Sequence, residues 1–483
     1  MKKYLCRIGS FLLALALTAG LGSPAALASS TPPPVTETPS PAATAKEPVE
    51  SEILNSMQVE AAAAILVDVD TGAVLYEYNA QEQRYPASIT KVMTALLALE
   101  AVDRGEISLD QVVTLTDDLY QDIGEGGSSA DLRAGEQLSV LDLLYCVLLP
   151  SANEACNALA QVTAGSIDAF VERMNQRAQE LGMEATHFTN THGYHDAGHY
   201  TTAYDIYLMC REAMEHETFR TITSSRSHDL PATEFHEART IYDTNALISS
   251  WQYGSRYLYE YATGIKTGST PEAGYCLASA ASKDGRDLIC VVLGAENPVQ
   301  ADGTTSRLQF SESIRLLEWG FNSFSTKTLL DSTYFAGTIP VTLSRETDRV
   351  GAQASGTLEA LLPDDLDPAD FQITPEFSAE SLAAPVERGQ VVGTVTVSNG
   401  DTVYGSLDLV AVDSVARSEL LYRVDQIQRF FSLLWVRVAL IVLLAVVLVL
   451  VLRWLLFGRR RRYGGSRPAG RRRSRYSGRR RRR

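Results

Sequence analysis

The sequence predicts an α+β body followed by a small all-β domain and one C-terminal transmembrane helix, on three observations. From Ala61 to Phe324 short apolar strand-like runs mix with strongly apolar helical stretches. After about Ser325 the chain turns to short alternating runs such as TIPVTLSR and QVVGTVTVSNGDTVYGSLDLVAV, broken by Gly, Asn and Asp. Leu433 to Phe457 is then nearly all apolar and runs into a tail, residues 459–483, with 14 Arg and no acid. With 45% hydrophobic and 21% charged residues in 483, the composition is that of a globular protein of two or three domains. Charge is divided sharply: residues 29–436 hold 24 Lys and Arg against 58 Asp and Glu. An acidic body with a basic tail points to two compartments.

The first 28 residues read as a signal peptide. Lys2, Lys3 and Arg7 precede an apolar stretch from Phe11 to Leu21, and Ala26-Leu27-Ala28 supplies a small-x-small cleavage site. Residues 29–50, rich in Pro, Ser and Thr, predict a disordered spacer. In the body (51–325), AAAAILVDVDTGAVLYEYNA predicts two strands about an Asp70-Thr71-Gly72 turn, and Pro86 opens an apolar helix. Helices follow within 140–182, strands within 274–294, and SRLQFSESIRLLEWGF closes the body as an amphipathic helix. The all-β domain (326–418) and a juxtamembrane segment (419–432) lead to the span at 433–457. Val438 to Leu452 alone would rise only about 22 Å, but Arg437 and Arg453 can snorkel and Trp435 and Trp454 suit the interfaces, so the longer stretch can cross. The positive-inside rule leaves the tail (458–483) cytoplasmic and the body outside.

Five cysteines remain after the signal: Cys146, Cys156, Cys210, Cys276 and Cys290. A hairpin turning at Asp284-Gly285 would pair Lys283 with Arg286 and Cys276 with Leu293. Cys276 and Cys290 then lie on opposite faces, and the thiols read as small buried apolar groups.

Three short motifs carry chemistry. In Ser88-Ile89-Thr90-Lys91 the i, i+3 spacing sets hydroxyl and amine on one helical face, and a desolvated lysine can take the serine proton. Ser151-Ala152-Asn153 lies between two helices; alone it reads as a helix cap, but its hydroxyl can relay a proton and its carboxamide can hold a substrate amide or the lysine. In Lys266-Thr267-Gly268 a cation and a hydroxyl at a strand edge suit a terminal carboxylate, and Gly268 permits close approach to the backbone.

In this order the three match the motif set of serine β-lactamases and penicillin-binding proteins. Their surroundings, PASITKVMTALL, LLPSANEACNALA, MNQRAQELGMEATHFTNTHGYHDAGHYTTAYD and GIKTGSTPEAGYCLASAASKDGRDLICVVLGAE, resemble the low-molecular-mass D-alanyl-D-alanine carboxypeptidases. The resemblance runs from about Ala61 to Phe324 and persists, weaker, in LAAPVERGQVVGTVTV. It implies a β-lactamase/transpeptidase-like domain, an antiparallel sheet flanked by helices plus a helical lobe, followed by a β-sandwich domain. It implies Ser88 as acylated nucleophile, Lys91 as base, Ser151 as proton shuttle and Asn153 as amide binder. Lys266 and Thr267 would hold the substrate carboxylate, and the N–H groups of Ser88 and Ser269 the oxyanion. The implied partners are peptidoglycan stem peptides ending in D-Ala-D-Ala, β-lactams as covalent inhibitors, and the membrane; no cofactor, metal or nucleic acid is implied. Glu154 stands where the family usually has Asp, and Ser269 follows the K-T-G.

Two rival functions are weighed. A class A-like β-lactamase would need an E-x-x-L-N glutamate, which is absent. A non-enzymatic wall-binding scaffold would be expected to have lost one of Ser88, Lys91 or Lys266, and all are present. His187, His192, His195 and His199 have spacings that could suggest a metal site, but the resembling family carries histidines in this loop without zinc. Asp205 reads as a helix-start residue.

Overall fold

The structure, a computed structural model, describes residues 49–457. The expected signal peptide, spacer residues 29–48 and the Arg-rich tail lie outside the described residues. Five antiparallel strands form the main sheet: β1 (Ala63–Asp68), β2 (Val74–Tyr78), β3 (Ala262–Thr270), β4 (Gly274–Lys283) and β5 (Arg286–Ala295), in the order β2-β1-β5-β4-β3. The β1–β2 turn is tied by Asp68, whose carboxylate accepts from the Thr71 N–H (3.0 Å) and hydroxyl (2.6 Å). Because successive strand side chains point to opposite faces, the sheet divides two cores. Ala63, Ile65 and Val67 of β1 join the helical-lobe core, while Ala64 and Leu66 pack beneath the long helix that closes the domain.

The lobe core is built by α1 (Lys91–Asp103), α2 (Val140–Leu148), α3 (Asn153–Ala164), α4 (Ile167–Glu180), α5 (Ala203–Glu215) and α6 (Glu217–Thr223). Ser139 and Asp142 form a reciprocal capping box at the start of α2, which fixes where the helix preceding the second motif begins. On the other face α7 (Leu308–Asn322) sets Phe310, Leu316 and Leu317 against Leu66, Leu277 and Leu288.

The β4–β5 hairpin turns at Asp284-Gly285 with Lys283 opposite Arg286, as the sequence predicts, and keeps that register to Leu277 opposite Val292. A bulge between Tyr275 and Leu277 then shifts the register, so the expected pairing of Cys276 with Leu293 gives way to Tyr275 opposite Ala295. The conclusion for the thiols stands, since Cys276 lies in the lobe core and Cys290 in the other.

Only Ser323 separates α7 from β6 (Phe324–Leu330). This strand and β9 (Leu358–Pro363) make a two-stranded sheet that packs against a six-stranded one through Leu329, Leu330 and Leu362. The six are β7 (Phe335–Thr342), β8 (Arg349–Ala354), β10 (Gln372–Phe377), β11 (Leu382–Ala383), β12 (Val391–Asn399) and β13 (Thr402–Ala411), ordered β10-β12-β13-β8-β7-β11. Phe324, edge-on to Trp319 at 4.8 Å, and Leu361 carry the contact back into the body's second core. Val49, the last apolar residue of the expected spacer, is clasped by the Asn399 carboxamide, which accepts from its N–H (2.8 Å) and donates to its carbonyl (2.9 Å).

Two helices end the described chain. On α8 (Glu419–Ser432) the exposed Leu420, Val424, Ile427 and Phe431 recur at helical spacing on one face. After a break at Leu433, α9 (Leu434–Phe457) has a mean hydropathy of 3.0 over Leu434–Leu456 and is 6% buried, long and apolar enough to cross a membrane.

All five described cysteines are buried and unpaired. Burial pushes Cys156 and Cys290 up to about 12 and Cys276 to about 11, and raises Cys146 and Cys210 as well. The native protein is therefore expected to resist alkylation by iodoacetamide at pH 8 and to take up one group on each of these five thiols in denaturant. Rapid native labelling, or a non-reducing peptide map showing a Cys276–Cys290 bridge, would contradict the two-core arrangement.

Candidate active site

The three motifs converge where the first turn of the α1 region, the α2–α3 connection and the edge strand β3 meet. Ser88 lies in a 3-10 turn, Ala87–Thr90, entered through Pro86 and continuing directly into α1. One turn on, the fully buried Lys91 directs its amine at three acceptors: Ser88 Oγ at 2.9 Å, Asn153 Oδ1 at 2.7 Å and the His192 carbonyl at 2.7 Å. These match the three protons of an ammonium, and loss of one leaves a lone pair that can face the serine hydroxyl. Burial pulls the amine down to about 8, against the charge of the nearby Glu154 carboxylate.

Ser151 has φ +68°, and its buried Oγ has no hydrogen-bond partner within the protein. An orphaned hydroxyl at a cleft wall is the state expected of a group completed by substrate or water. The sequence left the Asn153 carboxamide two partners, and its oxygen takes the lysine, which leaves the NH2 as donor. Glu154, the departure from the usual Asp, is engaged by the loop at residues 129–132. Its carboxylate accepts from Ser129 Oγ (2.7 Å) and the Ala130 N–H (2.7 Å), fixing the loop whose Ser128 lines the cleft and whose carbonyl holds the Asn153 N–H (2.9 Å).

On β3, Lys266 is buried and donates to the Thr267 carbonyl (3.1 Å), while Thr267 Oγ1 bonds Thr244 Oγ1 (2.7 Å). Burial, reinforced by the Lys91 charge, pulls Lys266 well below the usual lysine range, opposed by Asp243. Gly268 also has a reason that the sequence does not show. A Cβ there would lie 3.0 Å from the Pro86 carbonyl oxygen and 3.1 Å from the Ser88 nitrogen. The backbone that approaches it is that of the Ser88 turn, so glycine is what lets the edge strand lie flush against Ser88. Ser88, Ser128, Ser151, Thr244, Thr267, Gly268, Ser269 and Tyr275 together line a cleft of about 230 Å³.

Sequence reasoning missed several supporting groups. The His192 carbonyl is a backbone acceptor and has no side-chain signature. Thr244 lies in a loop without motif. Gly193 is needed because a Cβ there would fall 1.8 Å from the Ala87 oxygen; the sequence marks it only as a glycine directly after His192. Two histidines of this loop, His199 and His187, tie it together. His199 Nε2 donates to Thr90 Oγ1 (2.8 Å) while its Nδ1 accepts from the Thr189 N–H (3.2 Å), and His187 Nδ1 donates to the Gly198 carbonyl (2.8 Å). Burial pulls His192 and His199 down to about 3, so both are neutral. Among the described residues no three His, Cys, Asp or Glu side chains group as metal ligands. Asp205 acts in packing, accepting from the Ala185 N–H (3.0 Å) and Thr186 Oγ1 (2.6 Å) beside the start of α5.

Comparison with known proteins agrees with this geometry. The family model for D-alanyl-D-alanine carboxypeptidases, peptidase family S11, matches residues 46–297. The carboxypeptidase DacF of Bacillus subtilis is 29% identical over 78% of this chain and 91% of its own length. DacC of Escherichia coli is 31% identical over 73% and 84%. Among solved structures, penicillin-binding protein 5 from Haemophilus influenzae aligns with a TM-score of 0.56 and 27% identity over 75% of this chain and 99% of that one. Penicillin-binding protein 6B from Escherichia coli gives 0.54 and 28% over 73% and 96%. A serine bonded to a buried lysine, an S-x-N turn and a K-T-G edge strand thus sit in a matching sequence and a matching fold: the chain belongs to the D-alanyl-D-alanine carboxypeptidase family of penicillin-binding proteins and is a serine-type D-Ala-D-Ala carboxypeptidase.

Proposed function

We propose that Ser88 is the nucleophile that removes the terminal D-alanine from peptidoglycan stem peptides, with Lys91 as its base. The observation that carries this is the 2.9 Å contact between Ser88 Oγ and a fully buried amine pulled down to about 8. In the first step Oγ attacks the carbonyl carbon of the penultimate D-alanine and its proton passes to Lys91 Nζ. The N–H groups of Ser88 and Ser269 hold the oxyanion. The C–N bond then breaks, the departing amine takes a proton by way of Ser151, and D-alanine leaves. Water adds to the Ser88 ester, returns the hydroxyl and releases the shortened peptide.

The substrate's direction follows from chemistry. Lys266 and Thr267 suit its carboxylate, and Asn153 its amide. Strand β3 is the open edge of the sheet, so an extended peptide can lie along it. A β-lactam carries a carboxylate beside a strained amide and would be held in the same way, but its opened ring remains on the ester. Among the described residues lining the cleft there is no carboxylate to activate a deacylating water, which favours a trapped adduct over a β-lactamase. The signal peptide, the apolar α9 and the basic tail support a body outside the membrane and a tail inside.

Three outcomes are expected. Intact-mass spectrometry after benzylpenicillin should show one adduct on the peptide containing Ser88, and Ser88→Ala should lose both adduct and D-alanine release; labelling that survives the substitution would exclude this nucleophile. Since only the neutral amine can take a proton, the acylation rate should climb from pH 6 to about 8 as Lys91 deprotonates. Lys91→Ala should cost ~10²-fold or more and remove that climb; a flat wild-type profile over this range would rule Lys91 out as base. Protease added to intact spheroplasts should remove the body and spare the tail, and the opposite pattern would reverse the topology.

A further inference from the structure

Lys91 and Asn153 meet across two helices, and each has a second polar residue one turn further along the same face: Thr94 on α1, at i+3, and Asn157 on α3, at i+4. Residues 190–193 run between the helices and are tied to both. The Thr94 hydroxyl donates to the Thr191 carbonyl, and the Thr191 hydroxyl donates to Asn157 Oδ1 at 2.6 Å. The Asn157 NH2 donates to the carbonyls of Leu119 (3.1 Å) and Gln121 (2.9 Å), which fixes the amide's orientation and leaves its oxygen for Thr191. The next residue, His192, gives its carbonyl to Lys91. Two polar rungs therefore cross from α1 to α3: Lys91 with Asn153 and the His192 carbonyl, then Thr94 with Thr191 and Asn157.

Thr94, Asn157 and Thr191 are buried, and none of them lines the cleft. They reach the chemistry only through the peptide unit that they hold. Asn190 closes the turn on itself, its Oδ1 accepting from the N–H groups of His192 (3.3 Å) and Gly193 (2.7 Å), and ties it to neither helix. Thr191 on one side and the crowded Gly193 on the other hold the His192 carbonyl against rotation. With that oxygen and Asn153 Oδ1 both fixed, the remaining direction of a tetrahedral amine is set, and it points at Ser88 Oγ.

We propose that Thr191 and Asn157, together with Thr94, are positioning residues for the reaction: they hold the His192 carbonyl on the Lys91 amine and thereby aim that amine at Ser88. The inference rests on the reading of Lys91 as base. Its sign follows from the charged form. A carbonyl that accepts from the ammonium favours that form, so loosening the carbonyl lets Lys91 lose its proton at lower pH. The ionisable groups around the amine are Cys156 and Glu154 from α3, Lys266 from β3, and His192 and His199 of the loop. Burial holds the thiol at about 12 and both histidines at about 3, and removing a threonine hydroxyl alters the charge of none of these groups.

The test follows acylation of the full chain in detergent by benzylpenicillin from pH 6 to about 9, each rate being scaled to the fraction that finally carries the Ser88 adduct. Thr191→Val keeps the shape and removes the hydroxyl. It should move the midpoint of the climb down by about half a pH unit or more and lower the plateau about fivefold. Thr191→Ser, which retains the hydroxyl, should keep the wild-type midpoint. Thr94→Val cuts the same rung from α1 and should shift the midpoint in the same direction, so the result does not depend on one variant folding. An unmoved midpoint in the valine variants, whatever their plateau, or a serine variant displaced as far as Thr191→Val, would overturn the positioning role. Failure of the Lys91 reading looks different, because the wild-type profile would then be flat, with no climb to displace.

Discussion

The buried amine of Lys91 is the constraint around which the site is organised. A charged lysine removed from water is costly, and the fold offsets this with three short hydrogen bonds drawn from three separate segments. Each acceptor depends on local structure of its own. Ser88 needs the 3-10 turn, Asn153 needs the loop that Glu154 ties down, and the His192 carbonyl needs Gly193 pressed against Ala87. The same burial that makes the amine expensive also makes it a usable base near neutral pH, so stability and chemistry draw on one interaction.

The second lysine is placed by different means. Lys266 sits on an edge strand and donates to its neighbour's carbonyl and hydroxyl. The Lys91 charge nearby resists the charging of Lys266.

Much of this was legible in sequence because it is written in short-range patterns. The i, i+3 spacing of Ser88 and Lys91, the alternation of β1 and the Asp284-Gly285 turn each depend on neighbours a few residues apart, and the structure has them. What escaped reading was set by long-range contact. The bulge at Tyr275–Leu277 depends on how β4 meets β5. The carbonyl of His192 has no residue type to betray it, and the crowding that demands Gly268 comes from a turn 180 positions away. Family resemblance supplied the roles of Asn153 and Thr267, whose residue types alone left several readings open. Glu154 shows the limit of that resemblance: the departure was visible, but only the structure shows its carboxylate engaged with residues 129–130.

The clasp between Val49 and Asn399 bears on how the enzyme hangs from its tether. The polypeptide passes between the β domain and the body twice, once through the segment from Val49 to Met57, whose ends lie against opposite cores, and once at Ser323–Phe324. Ser51 adds a bond to Asp365 at 2.8 Å on the first crossing. A single linker would let the body swivel freely; two separated crossings act as a double suspension that resists torsion. The two crossings therefore hold the body and the β domain to one relative setting, and neither passes through the Lys91 network.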